Sequence, residues 1–360
     1  MEPNAQPGAR PLQRLLGPIL VGFFLILLSI TAFLIVLSFP AGIYTVFFTS
    51  LSDSTARTLG YPFLWFGPVA VSLPFLVPYG AEFLAVVVVY LTMFGLAISQ
   101  GRNLPSAIAS GFRNGVGDLL SNRAILTLVS IGFLVFTAGV IDEVMSFFVP
   151  IGNPFVGGDD LLTFVGLALA PLREELGFRA ILIGVAAVVV TLPRPGLPAK
   201  ETVKSALRTL WRPSVAYESI DNSTFTLVVI WAAGAFSAGA FGVCHVACGG
   251  GGWEVGKLPE ATYGGVVLAY LYIRYGFHVA VLAHWGIDYL PSVFAFYGQG
   301  VYRIPWNSSP GYVLQQVVAS DLFGVFGVAC VILVFYVGIS KLWSAERKKR
   351  NCNSPLSEVH

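Results

Sequence analysis

The sequence predicts an all-α membrane protein, a polytopic bundle of about eight transmembrane helices. Of its 360 residues, 56% are hydrophobic and only 11% are charged, whereas a soluble protein carries about 25% charged residues. So few charges cannot cover a water-exposed surface. Several apolar runs are also long enough to cross a bilayer, which takes roughly 20 apolar residues in a helix. A soluble domain, a coiled coil and a disordered scaffold are therefore excluded.

Eight apolar runs are predicted to cross the membrane. In chain order they are residues 15–39, 79–98, 124–149, 161–192, 225–247, 261–275, 277–296 and 322–343. The first run is about twice as long as the apolar core of a signal peptide, and it ends at Pro40 without a small-x-small cleavage pattern. We therefore interpret it as a retained span.

The apolar run 61–98 is long enough for two spans, but its first half contains four prolines. They are Pro62, Pro68, Pro74 and Pro78. Because proline removes a backbone donor and breaks helices, we predict only one helix here, over residues 79–98. The proline-rich half is expected to lie at the membrane interface or to re-enter, where its backbone groups can find water or protein partners.

The basic residues orient the predicted spans, because cytoplasmic loops collect Lys and Arg. Of the 21 basic residues, Arg173 and Arg179 lie within the fourth span. Among the others, only Arg57, Lys257 and Arg303 fall in loops on the membrane side that has fewer basic residues. Both termini are therefore expected in the cytoplasm, with the protein in the cell membrane. The charges are spread along loops rather than gathered in a patch, so nucleic acid is not an expected partner.

The fourth predicted span contains four charged residues, Arg173, Glu174, Glu175 and Arg179. An ionised side chain at the centre of a membrane helix costs about 2.5–3.5 kcal/mol, so such residues need partners or a water-filled cavity. Glu175 and Arg179 are spaced i and i+4 and can form an ion pair on one helix face. Glu174 points a quarter-turn away, where it could act as a general base. The alternative is an ion-pair cluster that only locks the helix bundle.

Of the four histidines, His360 lies on the tail; the other three are His245 at the end of the fifth span and His278 and His284 in the seventh. His284 and Asp288 share a helix face at i and i+4, so they can act together on a substrate atom, a water or a metal. His278 lies on another face, and we expect it to be structural.

Other polar residues are predicted to have no catalytic role. The four cysteines are too few for a secreted disulfide framework. Cys244, His245 and Cys248 are too closely spaced to form a tetrahedral zinc site without ligands from elsewhere. Another group is expected to face the interface or a cavity; its members are Glu82, Asp142 and Glu143.

Three motifs on separate spans together resemble the CPBP family of intramembrane proteases. They are Glu174-Glu175-x-x-x-Arg179, Phe241-x-x-x-His245 and His284-x-x-x-Asp288. The family contains the type II CAAX prenyl endopeptidases and the bacteriocin-immunity (Abi) proteins. The glycine- and tyrosine-rich helix over residues 263–276 is also similar to the family's pattern.

The resemblance covers about residues 160–292 and implies the following organisation of one membrane domain. Residues 1–159 are N-terminal membrane helices without a family motif, 160–292 are the catalytic core, 293–343 are a loop and the last span, and 344–360 are a basic cytoplasmic tail. The implied function is hydrolysis of a peptide bond in a membrane-associated, possibly prenylated, peptide or protein, with membrane lipids as the surroundings.

The resemblance also implies a role for each motif residue. Glu174 would activate the attacking water and His245 would place or polarise it, supported by Glu175 and Arg179. His284 and the residue four positions later would stabilise the oxyanion. The family usually has Asn at that later position, whereas an ionised Asp288 cannot donate a hydrogen bond. Asp288 would have to be protonated, orient His284 or bind a cation.

Two mechanisms and two other functions remain open at the level of sequence. No cofactor is required if the glutamate alone activates water; the alternative is a zinc enzyme with Glu174, His245, His284 and Asp288 as ligands. The chain could instead be a non-catalytic immunity-like interaction protein or a proton-coupled transporter. The charge rule places the motif face away from the cytoplasm, whereas cleavage of prenylated tails requires cytoplasmic access; His284, near mid-span, leaves both sides open.

Overall fold

The computed structural model describes residues 10–49, 51, 59–152, 160–191, 199–218, 224–248, 252–304, 313 and 323–353. These residues are mostly helical and confirm the all-α class. The helices are α1 Arg10–Phe48, α2 Tyr79–Ser99, α3 Leu104–Asn114, α4 Arg123–Ser146, α5 Asp160–Glu174, α6 Ala186–Thr191, α7 Ala199–Trp211, α8 Ser214–Glu218, α9 Thr224–Ala247, α10 Lys257–Tyr275, α11 Phe277–Asp288, α12 Leu290–Tyr302 and α13 Phe323–Asn353. A π-helical segment, Glu175–Val185, joins α5 to α6, and a 3-10 turn, Val116–Ser121, precedes α4.

Four helices in the described ranges are long and apolar enough to cross a membrane, namely α1 over Gly17–Phe48, α2, α4 and α9. A fifth candidate is the pair α11 and α12, which is bent by 43°. These elements correspond to the first, second, third, fifth and seventh predicted spans. The other three predicted spans are helical where described but do not reach the same length and apolarity. The count of eight spans is therefore not confirmed.

Helix α1 does not end at the proline that was expected to terminate it. It continues through Pro40 to Phe48, so the predicted end of the first span is wrong. The hydroxyl of Tyr289 donates to the Ser38 carbonyl at 3.0 Å, close to the proline. Phe39 stacks on Trp285 before the proline and Tyr44 packs on Tyr297 after it, so tertiary contacts hold the helix where a backbone donor is missing.

The proline-rich stretch forms a small β-hairpin, which the sequence did not predict. Its strands are β1 Leu59–Gly60, β2 Phe63–Phe66, β3 Val69–Ser72 and β4 Val77–Pro78; β2 pairs antiparallel with β3, and β1 with β4. The turn between β2 and β3 contains Gly67 at φ +60°, a conformation that favours glycine. The hairpin satisfies its backbone groups within the protein, and its position relative to the membrane stays a prediction.

Helix α11 forms the centre of the bundle. Every residue of Phe277–Gly286 is buried, and the helix packs against α2, α4, α5 and α10. The ring of Trp285 stacks on Phe39, with the centroids 5.4 Å apart. A helix enclosed on all sides has a fixed rotation, so the direction of each of its side chains is fixed as well. His284 is carried on this helix.

Candidate active site

The fourth predicted span changes its helical geometry at the charged motif. Residues of α5 are α-helical up to Glu174, and the wider π-helical turns begin at Glu175. Pro171, inside α5, has no backbone donor for the preceding turn. The Gly177 carbonyl accepts a hydrogen bond from the Gly67 backbone N–H of the hairpin at 3.3 Å. π-helical turns are frequently found at functional sites, because they redirect side chains within a helix.

A buried ion pair lies at the start of the π-helical segment. Arg179 Nε is 3.2 Å from Glu175 Oε2, and both side chains are 0% exposed. The pair that the i, i+4 spacing predicted is therefore present. The Arg179 guanidinium also lies over the Phe241 ring, 4.2 Å from its centroid.

His284 is held by the same glutamate. Its Nδ1 is 2.9 Å from Glu175 Oε1, so Glu175 contacts both Arg179 and His284. Glu175 is an acceptor when ionised, and Nδ1 is then the donor, which fixes the orientation of the ring. The sequence analysis did not predict this contact, which joins residues 109 positions apart in the chain.

The other nitrogen of His284 faces two more carboxylates. Nε2 lies 3.7 Å from Glu174 Oε2 and 3.4 Å from Asp288 Oδ2. The predicted His284 and Asp288 pair on one face of α11 is thus present, and Glu174 lies opposite it. One imidazole connects all three acidic residues of the predicted site.

The network is closed on one side and open on the other. The side chains of Glu174 and Asp288 are 20% and 23% exposed, whereas His284 is 6% exposed. Glu174 Oε2 is itself buried and accepts no hydrogen bond from the part of the chain that the structure describes. An unpaired carboxylate oxygen in a partly exposed side chain is suited to accept a hydrogen bond from an enclosed water or from a bound substrate.

His245 joins the network through an aromatic ring. Its Nδ1 is 2.9 Å from the Phe241 carbonyl, and the Phe241 ring centroid lies 4.5 Å from the His245 ring and 5.6 Å from the His284 ring. His245 also interacts electrostatically with Glu174. Phe241, the first residue of its motif, contacts Arg179 and both histidines, a central position that the sequence analysis did not assign to it.

Several polar residues outside this network have partners of their own. Glu82 was expected at an interface or cavity, but it is buried and pairs with Arg173 at 2.8 Å. Lys257 pairs with Asp142 at 3.2 Å and with Glu260 at 2.8 Å. Glu143 is exposed.

The two cysteines beside His245 form a disulfide, Cys244 with Cys248. From their spacing these residues were expected to form no zinc site without ligands from elsewhere, and the bond was not predicted. Among the described residues, no group of three or more His, Cys, Asp and Glu side chains is placed to hold a metal ion.

The comparisons with known proteins agree with the motifs. Residues 160–290 match the family model described as type II CAAX prenyl endopeptidase, Rce1-like. All six predicted site residues lie within this segment. Comparison with curated proteins found no match, and neither did comparison with solved structures.

Proposed function

We propose that this protein hydrolyses a peptide bond in a membrane-associated substrate, because residues 160–290 match the family model of Rce1-like type II CAAX prenyl endopeptidases. The observation that carries the proposal is the position of His284. Its Nδ1 is bound to Glu175, and its Nε2 faces Glu174 and Asp288. The arrangement supplies an acid-base pair and a hydrogen-bond donor at one partly exposed edge, as peptide hydrolysis requires.

Glu174 is the proposed general base. A water bound to its unpaired Oε2 would lose a proton to the carboxylate as the water oxygen attacks the carbonyl carbon of the peptide bond. The protonated Glu174 would then give this proton to the departing amide nitrogen. General acid-base catalysis of this kind contributes about 10²–10⁴-fold to the rate.

Glu175 and Arg179 are proposed as positioning residues. Arg179 compensates the buried charge of Glu175 at 3.2 Å, and Glu175 in turn fixes the His284 ring. A buried carboxylate without a partner would be strongly destabilising. The ion pair therefore supports the orientation of His284 rather than the chemical step itself.

His284 and Asp288 are proposed to stabilise the tetrahedral oxyanion. When the ring carries both protons, Nδ1 donates to Glu175 and Nε2 remains available as a donor. The distance of 3.4 Å between Asp288 Oδ2 and Nε2 supports the second of the three roles considered for Asp288, namely that it orients His284. His245, which interacts electrostatically with Glu174, would place the attacking water.

We propose a reaction without a metal ion; the alternative is a zinc enzyme with Glu174, His245, His284 and Asp288 as ligands. A chelator tests this part of the proposal separately from the reaction.

The proposed substrate is a lipid-anchored, possibly prenylated, peptide or protein that reaches the site from the bilayer. The carboxylates of Glu174 and Asp288 are partly exposed. Their helices, α5 and α11, pack against each other and against other apolar helices of the bundle. A substrate held by a lipid anchor would present its peptide bond at such a site without leaving the membrane. Placement in the cell membrane with both termini in the cytoplasm is part of the same proposal.

The proposal is tested by incubating the purified protein in lipid vesicles with a prenylated peptide and an unmodified control, with and without a chelator. We expect a cleaved product from the prenylated peptide, identified by mass spectrometry, in equal amounts with and without the chelator. The absence of product from both peptides would contradict the proposed reaction. Loss of activity with the chelator, restored by zinc, would replace the metal-free mechanism.

A further inference from the structure

Three arginines gather where α4 begins and where α7 and α10 end. They are Arg123 at the start of α4, Arg212 directly after α7 and Arg274 near the end of α10, and we call them the arginine cluster. Arg212 and Arg274 share one carboxylate, Glu218, at 3.3 and 3.8 Å. The cluster therefore contains more positive charge than its acidic partner compensates.

Arg123 is the member without an acidic partner. In the part of the chain that the structure describes, no carboxylate lies within ion-pair distance of its guanidinium, which instead lies 4.7 Å from the centroid of the Tyr275 ring. Arg123 also interacts electrostatically with Arg212, Arg274 and Glu218. Glu218 supplies one negative charge against three positive charges, so a further anion would reduce the repulsion among the guanidinium groups.

Two buried polar side chains beside the cluster have unsatisfied atoms. His278 and Ser214 are both 0% exposed. Neither ring nitrogen of His278, nor the Ser214 hydroxyl, hydrogen-bonds to any described residue. Arg123 acts electrostatically on His278. A buried polar group without a partner is unfavourable, so a bound group with acceptor oxygens would stabilise this region.

Trp211 connects these groups to helix α7. Its indole stacks on the His278 ring at 5.5 Å with an interplanar angle of 9°. The neighbouring Gly276 has φ +105°, and a Cβ there would lie 3.4 Å from both His278 Nδ1 and Trp211 Nε1. The end of α7, the start of α11 and the arginine cluster thus meet at one place.

Helix α7 has the surface of a helix that lies in a membrane interface. Val203, Leu207 and Trp211 are exposed apolar residues at i, i+4 and i+8. A basic row runs beside them on the same side of the helix; its members are Lys200, Lys204 and Arg208. An exposed apolar stripe flanked by lysines and arginines is typical of helices that lie among anionic lipid headgroups.

We propose that the arginine cluster, with His278 and Ser214, binds the phosphate of an anionic membrane lipid. The guanidinium groups would supply charge-assisted hydrogen bonds to phosphate oxygens, and the imidazole of His278 and the hydroxyl of Ser214, which have no partner among the described residues, would add further donors. A soluble phosphate would offer the same oxygens. The lipid is favoured because the apolar stripe of α7 places the acyl chains and headgroups of a leaflet next to the cluster.

The test uses the full-length protein in nanodiscs that contain equal amounts of phosphatidylglycerol and phosphatidylcholine. Native mass spectrometry then counts the lipids retained after extraction. We expect the wild-type protein to retain phosphatidylglycerol preferentially. Equal retention of the two lipids by the wild-type protein would overturn the proposal without any variant.

Matched variants locate the binding to the cluster. Arg123→Gln and Arg274→Gln are each expected to weaken the preference for phosphatidylglycerol about tenfold, because each removes a charge-assisted hydrogen bond. Arg113→Gln removes the same charge from an exposed residue outside the cluster and should leave the preference unchanged. Equal effects of all three substitutions would contradict the assigned site.

A measurement of Tm distinguishes binding of a lipid from binding of a soluble anion. We expect phosphatidylglycerol to raise the Tm of the wild-type protein and of Arg113→Gln, but not of Arg123→Gln. Inorganic phosphate added to nanodiscs of phosphatidylcholine alone should not reproduce this rise. An equal rise with inorganic phosphate would overturn the assignment to a lipid.

Discussion

Glu175 is the side chain that connects the two halves of the candidate site. It pairs with Arg179 within its own helix and accepts from His284 on the central helix α11. A charged side chain that contacts both the π-helical segment and α11 fixes the rotation of one relative to the other. The orientation of His284 therefore depends on an ion pair that would not itself contact the substrate.

The pairs within one helix could be predicted from the sequence, whereas the contact between helices could not. Glu175 with Arg179, and His284 with Asp288, follow from the 3.6-residue period alone. The contact of Glu175 with His284 depends on the rotation of α11 within the bundle, which many packed side chains decide together. Family resemblance indicated that these residues share one site, but not which atoms meet.

Asp288 gives a prediction at the scale of one residue. Asparagine has the same size, keeps an acceptor oxygen for His284 and adds a donor for the oxyanion. Asp288→Asn should therefore retain activity within about tenfold of the wild type, whereas Asp288→Ala should lose about 10²-fold or more. The rates of peptide cleavage by the two variants test this prediction. Equal losses of activity in Asp288→Asn and Asp288→Ala would show that the carboxylate itself is required.

At the scale of elements, the π-helical segment and the β-hairpin act as one unit. The hairpin donates a hydrogen bond to the Gly177 carbonyl, and the Arg173 guanidinium lies 4.3 Å from the centroid of the Phe63 ring. The sequence predicted that this proline-rich stretch is not a helix, but not its hairpin. Almost every residue of β2 and β3 is apolar, so the alternation that identifies a strand is missing.

Gly177 tests this contact. A Cβ at this position would lie 2.7 Å from the Trp65 carbonyl oxygen, so Gly177→Ala should displace the hairpin. We expect a loss of about 1–3 kcal/mol in the free energy of unfolding, together with lower activity. Thermal unfolding in detergent measures the change. Gly166→Ala is the control, because a Cβ there meets nothing within 4 Å; equal stabilities of the two variants would contradict the contact.

The 3-10 turn before α4 provides a prediction on pH. Hydrogen bonds from Ser110 and Asn114 hold the pKa of Asp118 below its ordinary value. A lowered pKa means that the ionised carboxylate stabilises the folded state above the unfolded pKa, and that this contribution is lost as the pH falls through the folded pKa.

Asp118→Asn should remove this dependence. The Tm of the wild type is expected to fall more steeply than that of the variant between neutral pH and about pH 3. Because Asp118 is partly exposed, the difference should be small. Parallel Tm curves for the two proteins would show that the hydrogen bonds contribute nothing to stability.

At the scale of the whole molecule, a buried central helix organises an apolar bundle. Helix α11 is enclosed along Phe277–Gly286, and the charged residues of the candidate site lie against it. The composition predicted the membrane class, and the apolar runs predicted most of the long helices. The number of spans could not be predicted in the same way, because helices with internal charges and bends do not reach the apolarity that identifies a span.

The distribution of basic residues predicts the orientation of this bundle. A green fluorescent protein fused after His360 should fluoresce in bacterial cells, because the basic C-terminal tail is expected in the cytoplasm. An alkaline phosphatase fused at the same position should be inactive. An active phosphatase fusion would reverse the predicted orientation, and with it the membrane face from which a substrate enters.

The central claim is that Glu174 activates the attacking water, and one substitution tests it most directly. Glu174→Gln keeps the size of the side chain but removes the base, and Glu143→Gln makes the same change at an exposed position outside the site. The rate of cleavage of a lipid-anchored peptide is compared in vesicles, with Tm as the measure of folding. We expect Glu174→Gln to lose at least about 10²-fold in rate at an unchanged Tm, and Glu143→Gln to cleave like the wild type. Cleavage by Glu174→Gln at the wild-type rate would contradict the account.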